Sequence, residues 1–311
     1  MEIKTSVIMS VYNGSLYLGE QLDSIVNQTL IPDEIIVLND CSNDCGKTER
    51  VIDSYVAKYS FVKKINNESN MGWRASFMKG CRIAQGEYIF FADQDDVWVK
   101  EKIEKMVSSM EKIGANVMIS HCCNTNNDME PISEFHENRG VKENNFPFSK
   151  KFMEPIGVGA AMVFRRSFIN EYIGLWQQDM GHDRFFQVVA RLFDRIYYYD
   201  ETLIFHRMHD NNATGKRNFN IQARIITSKG DAVFCENLLD SDFSKKLSPK
   251  QVRIIKRFIR FSIHRNKMLS YRSFIMWLLL PVYDLKFYST WKTWFGDLVA
   301  IRREKNDFGV Y

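Results

Sequence analysis

Residues 87–98 read Glu87-Tyr-Ile-Phe-Phe-Ala-Asp-Gln-Asp-Asp-Val-Trp98, a short apolar run that stops at three carboxylates, Asp93, Asp95 and Asp96. Tyr88 to Ala92 has the length and the aromatic content of a buried strand. Carboxylates crowded at a strand end repel one another unless something positive sits among them. A hard divalent cation is the natural partner: Mg²⁺ or Mn²⁺ takes one or two carboxylates together with the phosphates of a nucleotide. The other reading is a solvated acidic loop capping a helix that starts near Trp98, because Asp is favoured at helix starts.

Outward from this stretch, strand and helix patterns alternate. Residues 6–10, 34–38, 61–65, 88–92 and 116–120 read as strands, and 16–27, 47–57, 73–84 and 99–113 as helices. Such alternation predicts a mostly parallel central sheet flanked by helices on both faces, an α/β class with right-handed crossovers. Ligands of open α/β sheets bind beyond the carboxyl ends of the strands. Those ends carry Ser10, Tyr12 and Asn13, then Asn39, Asp40 and Ser42, then the acidic cluster. Farther on, the small-residue run 157–161 precedes Gly181-His-Asp-Arg184, which opens an apolar helix.

Composition sets wider bounds. With 311 residues, 45% hydrophobic and 26% charged, the chain can bury a sizeable core, as one large domain or one domain with an appendage. Its six cysteines form no C-x-x-C pair, which suits free thiols in a reducing cytoplasm better than zinc or disulfides. Residues 3–10 already read as structure, so no signal peptide is expected. The longest apolar candidate, residues 274–283, contains Pro281 and falls short of the roughly 18 residues of a membrane span. No acidic residue occurs between Phe243 and Tyr283, while ten Lys and Arg do, interleaved with Ile and Phe. That pattern suits an anionic membrane surface, a nucleic acid, or a basic-faced helix packed on the main domain. The membrane reading is preferred, with Trp277, Trp291 and Trp294 nearby, and no nucleic acid is expected.

Five blocks then fall into a known order: Ser6-Val-Ile-Met-Ser-Val-Tyr-Asn-Gly14, residues 21–28 with Ser24 and Ile25, Asp33-Glu-Ile-Ile-Val-Leu-Asn-Asp40, Asn70-Met-Gly72, and residues 86–98. Together they resemble glycosyltransferase family 2, a GT-A type nucleotide-diphospho-sugar transferase fold. Asp-Gln-Asp-Asp-Val-Trp98, the later Gly-His-Asp183 and Phe205-His-Arg-Met-His209 resemble most its rhamnosyltransferase-like branch of bacterial surface-polysaccharide enzymes. The resemblance covers about residues 4–215, so residues 1–220 are expected to form the transferase domain and 221–311 a helical, basic C-terminal extension.

The resemblance implies an inverting glycosyltransferase with a UDP- or dTDP-sugar donor, L-rhamnose among the sugars, acting on a saccharide or polyprenyl-linked acceptor at the inner face of the cell membrane. By position, Ser10 and Tyr12 cradle the base and Asp40 accepts its N–H. Arg74 meets the diphosphate, Asp93 the ribose or a metal-bound water, and Asp95 holds Mn²⁺ or Mg²⁺. His209 reaches the metal or the diphosphate, or is structural. Asp183 is the expected general base, although it also suits a helix cap. Arg184 would pair with phosphate or with Asp183, and Asp96 would cap the next helix or touch the sugar. Arg207 and Asn212 would touch phosphate or fix the loop; His182 has no assigned role.

Two other classes compete. A nicotinamide-dependent oxidoreductase needs G-x-G-x-x-G after the first strand, where only Gly14 stands. A non-catalytic sugar-nucleotide-binding or scaffold protein predicts a lost acidic cluster or a lost Asp183, and both are present.

Overall fold

A computed structural model describes residues 4–137, 141–144, 148–209, 221–288 and 290–302. Four parallel strands open the chain: β1 (Thr5–Val11), β2 (Glu34–Asn39), β3 (Val62–Asn66) and β4 (Tyr88–Ala92), in the spatial order β3-β2-β1-β4. Helices α1 (Leu18–Val26), α2 (Lys47–Lys58) and α3 (Gly72–Ile83) connect them. All of β2 and β4 is buried, as two-sided cover requires.

Past β4 the topology departs from the expectation. The sheet continues β4-β8-β6-β9-β5, with β7 also on β9. These strands are β5 (Val97–Trp98), β6 (Val117–Thr125), β7 (Val141–Asn144), β8 (Met162–Arg165) and β9 (Ile196–Arg207). The pairings β4·β8, β6·β8, β5·β9 and β7·β9 are antiparallel, so the sheet is mixed rather than mostly parallel. Strands β5, β7 and β8 are only two to four residues long, and this half lacks the strand–helix alternation that makes the first half legible. The helix expected from residue 99 also begins later, as α4 (Lys102–Ile113), because Val97 and Trp98 pair with Phe205 and Ile204 of β9.

Between β8 and β9 lie α5 (Arg166–Tyr172) and α6 (His182–Phe193), and four helices follow: α7 (Ile221–Asp240), α8 (Pro249–Ser270), α9 (Phe274–Asp284) and α10 (Trp291–Arg302). Helix α8 starts on a capping box, with Ser248 and Gln251 bonding each other's backbone N–H and Pro249 at the first turn. Its apolar side packs inward, Phe258 lying 5.3 Å from the Phe152 ring. Arg265, one of the ten basic residues between Phe243 and Tyr283, turns inward to Asp297 of α10 through two hydrogen bonds of 2.7 and 2.9 Å. Arg224 of α7 and the Tyr288 hydroxyl bind the same carboxylate at 2.6 Å each. Among the described residues, no helix is long and apolar enough to cross a membrane. Asn212 lies outside the described residues, as do parts of the 122–148 loop region.

Candidate active site

An open cavity of about 440 Å³ lies past the carboxyl ends of β1, β2 and β4. Six of the expected residues line it: Ser10, Tyr12, Asp40, Asp93, Asp95 and Asp183. Strands β1, β2 and β4 deliver the first five, and the first turn of α6 delivers Asp183 from about 90 residues farther along the chain.

Each side of the cavity is locally braced. Tyr12 is 42% exposed, so its ring face is available to a flat ligand. The Tyr12 backbone N–H donates to Gln94 Oε1 at 2.9 Å, so the residue between the two aspartates ties the β4 loop to the β1 loop. Asp40 is buried and accepts from Asn67 Nδ2 (2.8 Å) and from the backbone N–H groups of Met71 (2.9 Å) and Gly72 (2.8 Å). It therefore holds the Asn70-Met71-Gly72 turn, in which Gly72 has φ +79°. Opposite, Gly159 passes so close to α6 that a Cβ there would stand 2.8 Å from Asp183 Cβ. Buried Lys102 fixes that loop, donating to the Ala160 carbonyl at 2.6 Å and lying 3.4 Å over the Trp98 ring. Burial pushes the Lys102 ammonium well below its ordinary pKa.

Electrostatics distinguish the three carboxylates. Burial, with Asp96 and Asp95 beside it, pushes Asp93 well above the usual carboxylate range. Burial and Asp96 push Asp95 up too, against the pull of His209, whose Nε2 lies 2.8 Å from Asp95 Oδ2. Asp96 is neither a helix cap nor a cavity residue. It is fully buried, with Oδ1 2.8 Å from His206 Nδ1 and accepting from Arg207 N at 3.3 Å. Burial disfavours the His206 cation, but the Asp96 contact overrides it and pushes the pKa up to about 9. Carboxyls held high by burial and by one another's charge, with an imidazole in reach, form a donor set that fits a divalent cation.

Other expectations shift. Arg184 pairs neither with Asp183 nor with the cavity: its guanidinium grips Asp231 of α7 bidentately, at 2.7 and 2.9 Å. Arg207 is a fixture, donating to the Asp95 carbonyl at 3.0 Å and stacking on Tyr17 at 4.4 Å. Arg74 is absent from the cavity lining and lies over the Trp73 ring at 4.8 Å. His209 reaches the site through Asp95 rather than as part of the cavity wall. Asp183 begins the helix without capping it; Gly181 is the cap, and Asp183 Oδ1 accepts from Arg184 N at 2.7 Å. The cavity also holds Trp73, Phe77, Gln94, His182 and His206, to which the sequence reading gave no site role. Gln94, His182 and His206 carried a signal, each lying inside a quoted motif; Trp73 and Phe77 carried none.

A sheet of this topology with paired aspartates beyond β4 and a third on the facing helix defines the GT-A class of α/β folds. The sequence agrees: residues 6–173 match Glycosyl transferase family 2, and the chain belongs to that family. An uncharacterized glycosyltransferase of Rickettsia prowazekii is 27% identical over 260 residues, covering 81% of this chain and 74% of that protein. Another, of Rickettsia conorii, is 39% identical over 108 residues, covering 35% of this chain. The chain spans only 17% of the length of that second relative. Among solved structures, S. aureus TarS 1-349 in complex with UDP-GlcNAc aligns with a TM-score of 0.62 and 17% identity, over 96% of this chain and 90% of that one. The mannosyltransferase PcManGT of Pyrobaculum calidifontis, with GDP-Man and Mn²⁺, aligns with a TM-score of 0.56 and 15% identity, over 97% of this chain and 86% of that one. At such identities the likeness speaks for the fold alone.

Proposed function

We propose that this chain is an inverting glycosyltransferase that moves a sugar from a UDP- or dTDP-linked donor to a hydroxyl of a saccharide or lipid-linked acceptor. The observation that carries this reading is the meeting of Asp93, Asp95 and Asp183 around one cavity that Tyr12 and Asp40 also line. Tyr12 offers a stacking face to a pyrimidine, Ser10 lies beside it, and Asp40 holds the turn that closes over the base. Asp95, with His209, would hold Mn²⁺ or Mg²⁺, and Asp93 would orient the ribose or a water on the ion. When bound, the cation neutralises charge on the departing diphosphate. Asp183 takes the proton of the acceptor hydroxyl as its oxygen attacks the anomeric carbon, and the bond to the diphosphate breaks with its electron pair on the leaving oxygen. Arg74, over Trp73, stands ready to turn to the diphosphate. The complexes of TarS with UDP-GlcNAc and of PcManGT with GDP-Man and Mn²⁺ support a nucleotide-sugar donor and a divalent ion here. L-Rhamnose is the sugar favoured by the Asp-Gln-Asp-Asp-Val-Trp98 resemblance.

The chain works at the cytoplasmic membrane surface in this reading, through the extension at 221–311. Ile275, Leu278 and Leu279 of α9 are each more than half exposed, and α8 exposes Arg253, Lys256, Arg257 and Arg260. Two measurements test the proposal. Thermal shifts with UDP- and dTDP-sugars should appear, larger with Mn²⁺, because a ligand of the folded form raises its stability. The protein should pellet with anionic vesicles at low salt and release at high salt. No shift with any donor would overturn the first part, and unchanged pelleting after truncation at about residue 245 the second.

A further inference from the structure

We propose that His121, His136 and Asp200 form a second metal site, separate from the donor cavity, for a borderline transition ion of the Zn²⁺ type. None of the three lines that cavity. One ligand atom from each lies within 4.8 Å of the others. His121 Nε2 is 2.7 Å from Asp200 Oδ1, and His136 Nδ1 is 3.9 Å from the same oxygen. The site sits where the β6·β9 register shifts on both sides of His121, and such irregularities re-aim side chains.

Three observations go beyond proximity. First, His136 Nδ1 is buried and has no hydrogen-bond partner, a costly state for a ring nitrogen that faces a carboxylate. Second, His121 has a hydrogen-bonded outer partner on its other nitrogen, and His136 has a carboxylate in its neighbourhood. The Tyr198 hydroxyl lies 3.0 Å from His121 Nδ1, and a Glu134 oxygen lies 3.8 Å from His136 Nε2. Metal-bound histidines are held this way, because the outer contact sets ring orientation and tautomer. Third, the backbone presents His136 firmly. Its N–H donates to Thr202 Oγ1 at 2.9 Å, and Thr202 N–H donates to its carbonyl at 2.8 Å.

The two rings stack, centroids 3.6 Å apart. A tetrahedral ion with ligands near 2.0–2.2 Å wants ligand atoms about 3.3 Å apart, so one contact opens and the other closes by roughly half an ångström. Binding an ion would therefore swing the His136 ring out of its stack on His121, closing one contact, and draw the Asp200 carboxylate back from His121 Nε2, opening the other. Two imidazoles and one carboxylate favour Zn²⁺ over Mg²⁺ or Mn²⁺, which prefer oxygen-dominated sets. The fourth position is left for water. The ion would staple the 131–137 segment to β6 and β9.

The test uses the full chain, stripped by chelator, in an Asp95→Asn background that disables the donor-site metal. Bound Zn²⁺ is counted after equilibrium dialysis, Tm is followed by thermal shift, and Co²⁺ serves as a coloured probe. One Zn²⁺ per chain, a raised Tm and the intense visible bands of four-coordinate Co²⁺ are expected. His136→Asn, which leaves the His121–Asp200 contact in place, should lose all three. Tyr198→Phe should weaken Zn²⁺ about 10–100-fold without unfolding the chain. Loss of all Zn²⁺ binding on Asp95→Asn alone would overturn the site. So would Zn²⁺ binding and a Co²⁺ spectrum unchanged by both His136→Asn and Tyr198→Phe.

Discussion

His209 Nε2 lies 2.8 Å from Oδ2 of Asp95, a contact between residues 114 positions apart in sequence. It joins the end of β9 to the loop after β4, and it puts an imidazole on the carboxylate proposed to hold the cation. Asp95→Ala should therefore lower turnover by about 100-fold or more and abolish the Mn²⁺-dependent part of donor binding. His209→Ala should weaken Mn²⁺ by about tenfold or more. Calorimetric titration of Mn²⁺ with UDP- and dTDP-sugars reads both; unchanged Mn²⁺ affinity in Asp95→Ala refutes the assignment.

Asp183 faces the cavity from the first turn of α6 without capping the helix. Asp183→Asn keeps its size and should leave donor affinity unchanged while kcat falls roughly 10²–10⁴-fold, the usual worth of a positioned base. A variant that turns over normally excludes Asp183 as the base.

Next to it, Arg184 anchors α6 to α7 through Asp231. Arg184→Met strands a mostly buried carboxylate and should cost about 3 kcal/mol in chemical denaturation. Arg184→Lys should recover only part, because a lysine cannot make the two-pronged contact. A loss of stability below about 1 kcal/mol would mean the pair is solvated.

His182 is 4% exposed, stacks on Phe77 at 4.0 Å, and neither ring nitrogen has a hydrogen-bond partner among the described residues. Burial holds its pKa down to about 4, from an ordinary 6.5. The fold thus favours the neutral ring. Its contribution is full above pH 6.5 and is lost as pH falls toward 4, by about 3 kcal/mol in all. His182→Phe should flatten the stability-against-pH curve in that window; an unchanged slope contradicts the burial argument.

Asp297 joins α7, α8 and α10 through Arg224, Arg265 and Tyr288. Burial would raise its pKa, but Arg265 and the other partners outweigh that and hold it below the ordinary 3.8. Its contribution stands above pH 3.8 and is lost as pH drops through the lower folded value. Asp297→Asn should cost about 3–5 kcal/mol at neutral pH and leave less to lose in acid. Urea unfolding at neutral pH and at pH 3 checks this.

Much of the chain was legible before its structure. Strands β1 to β4 and their helices, the cavity position beyond their ends, and the places of Ser10, Tyr12, Asp40, Asp93 and Asp95 in its lining follow from local patterns. Apolar periodicity records which face of an element is buried, and motif residues next to a strand end inherit its place. Three-dimensional closure settled the rest. Asp96 reads as a helix cap until Val97 and Trp98 are seen to pair with β9, which seals it beneath His206. Arg184 reads as a partner of phosphate or of Asp183 until α7 brings Asp231 to it. The antiparallel pairing of β8 with β4 and β6, and the charge partners 47 to 114 residues apart, leave no trace in any short window. A side chain's burial is written in its neighbours' spacing, whereas its ionic partner is whichever opposite charge the folded chain carries to it.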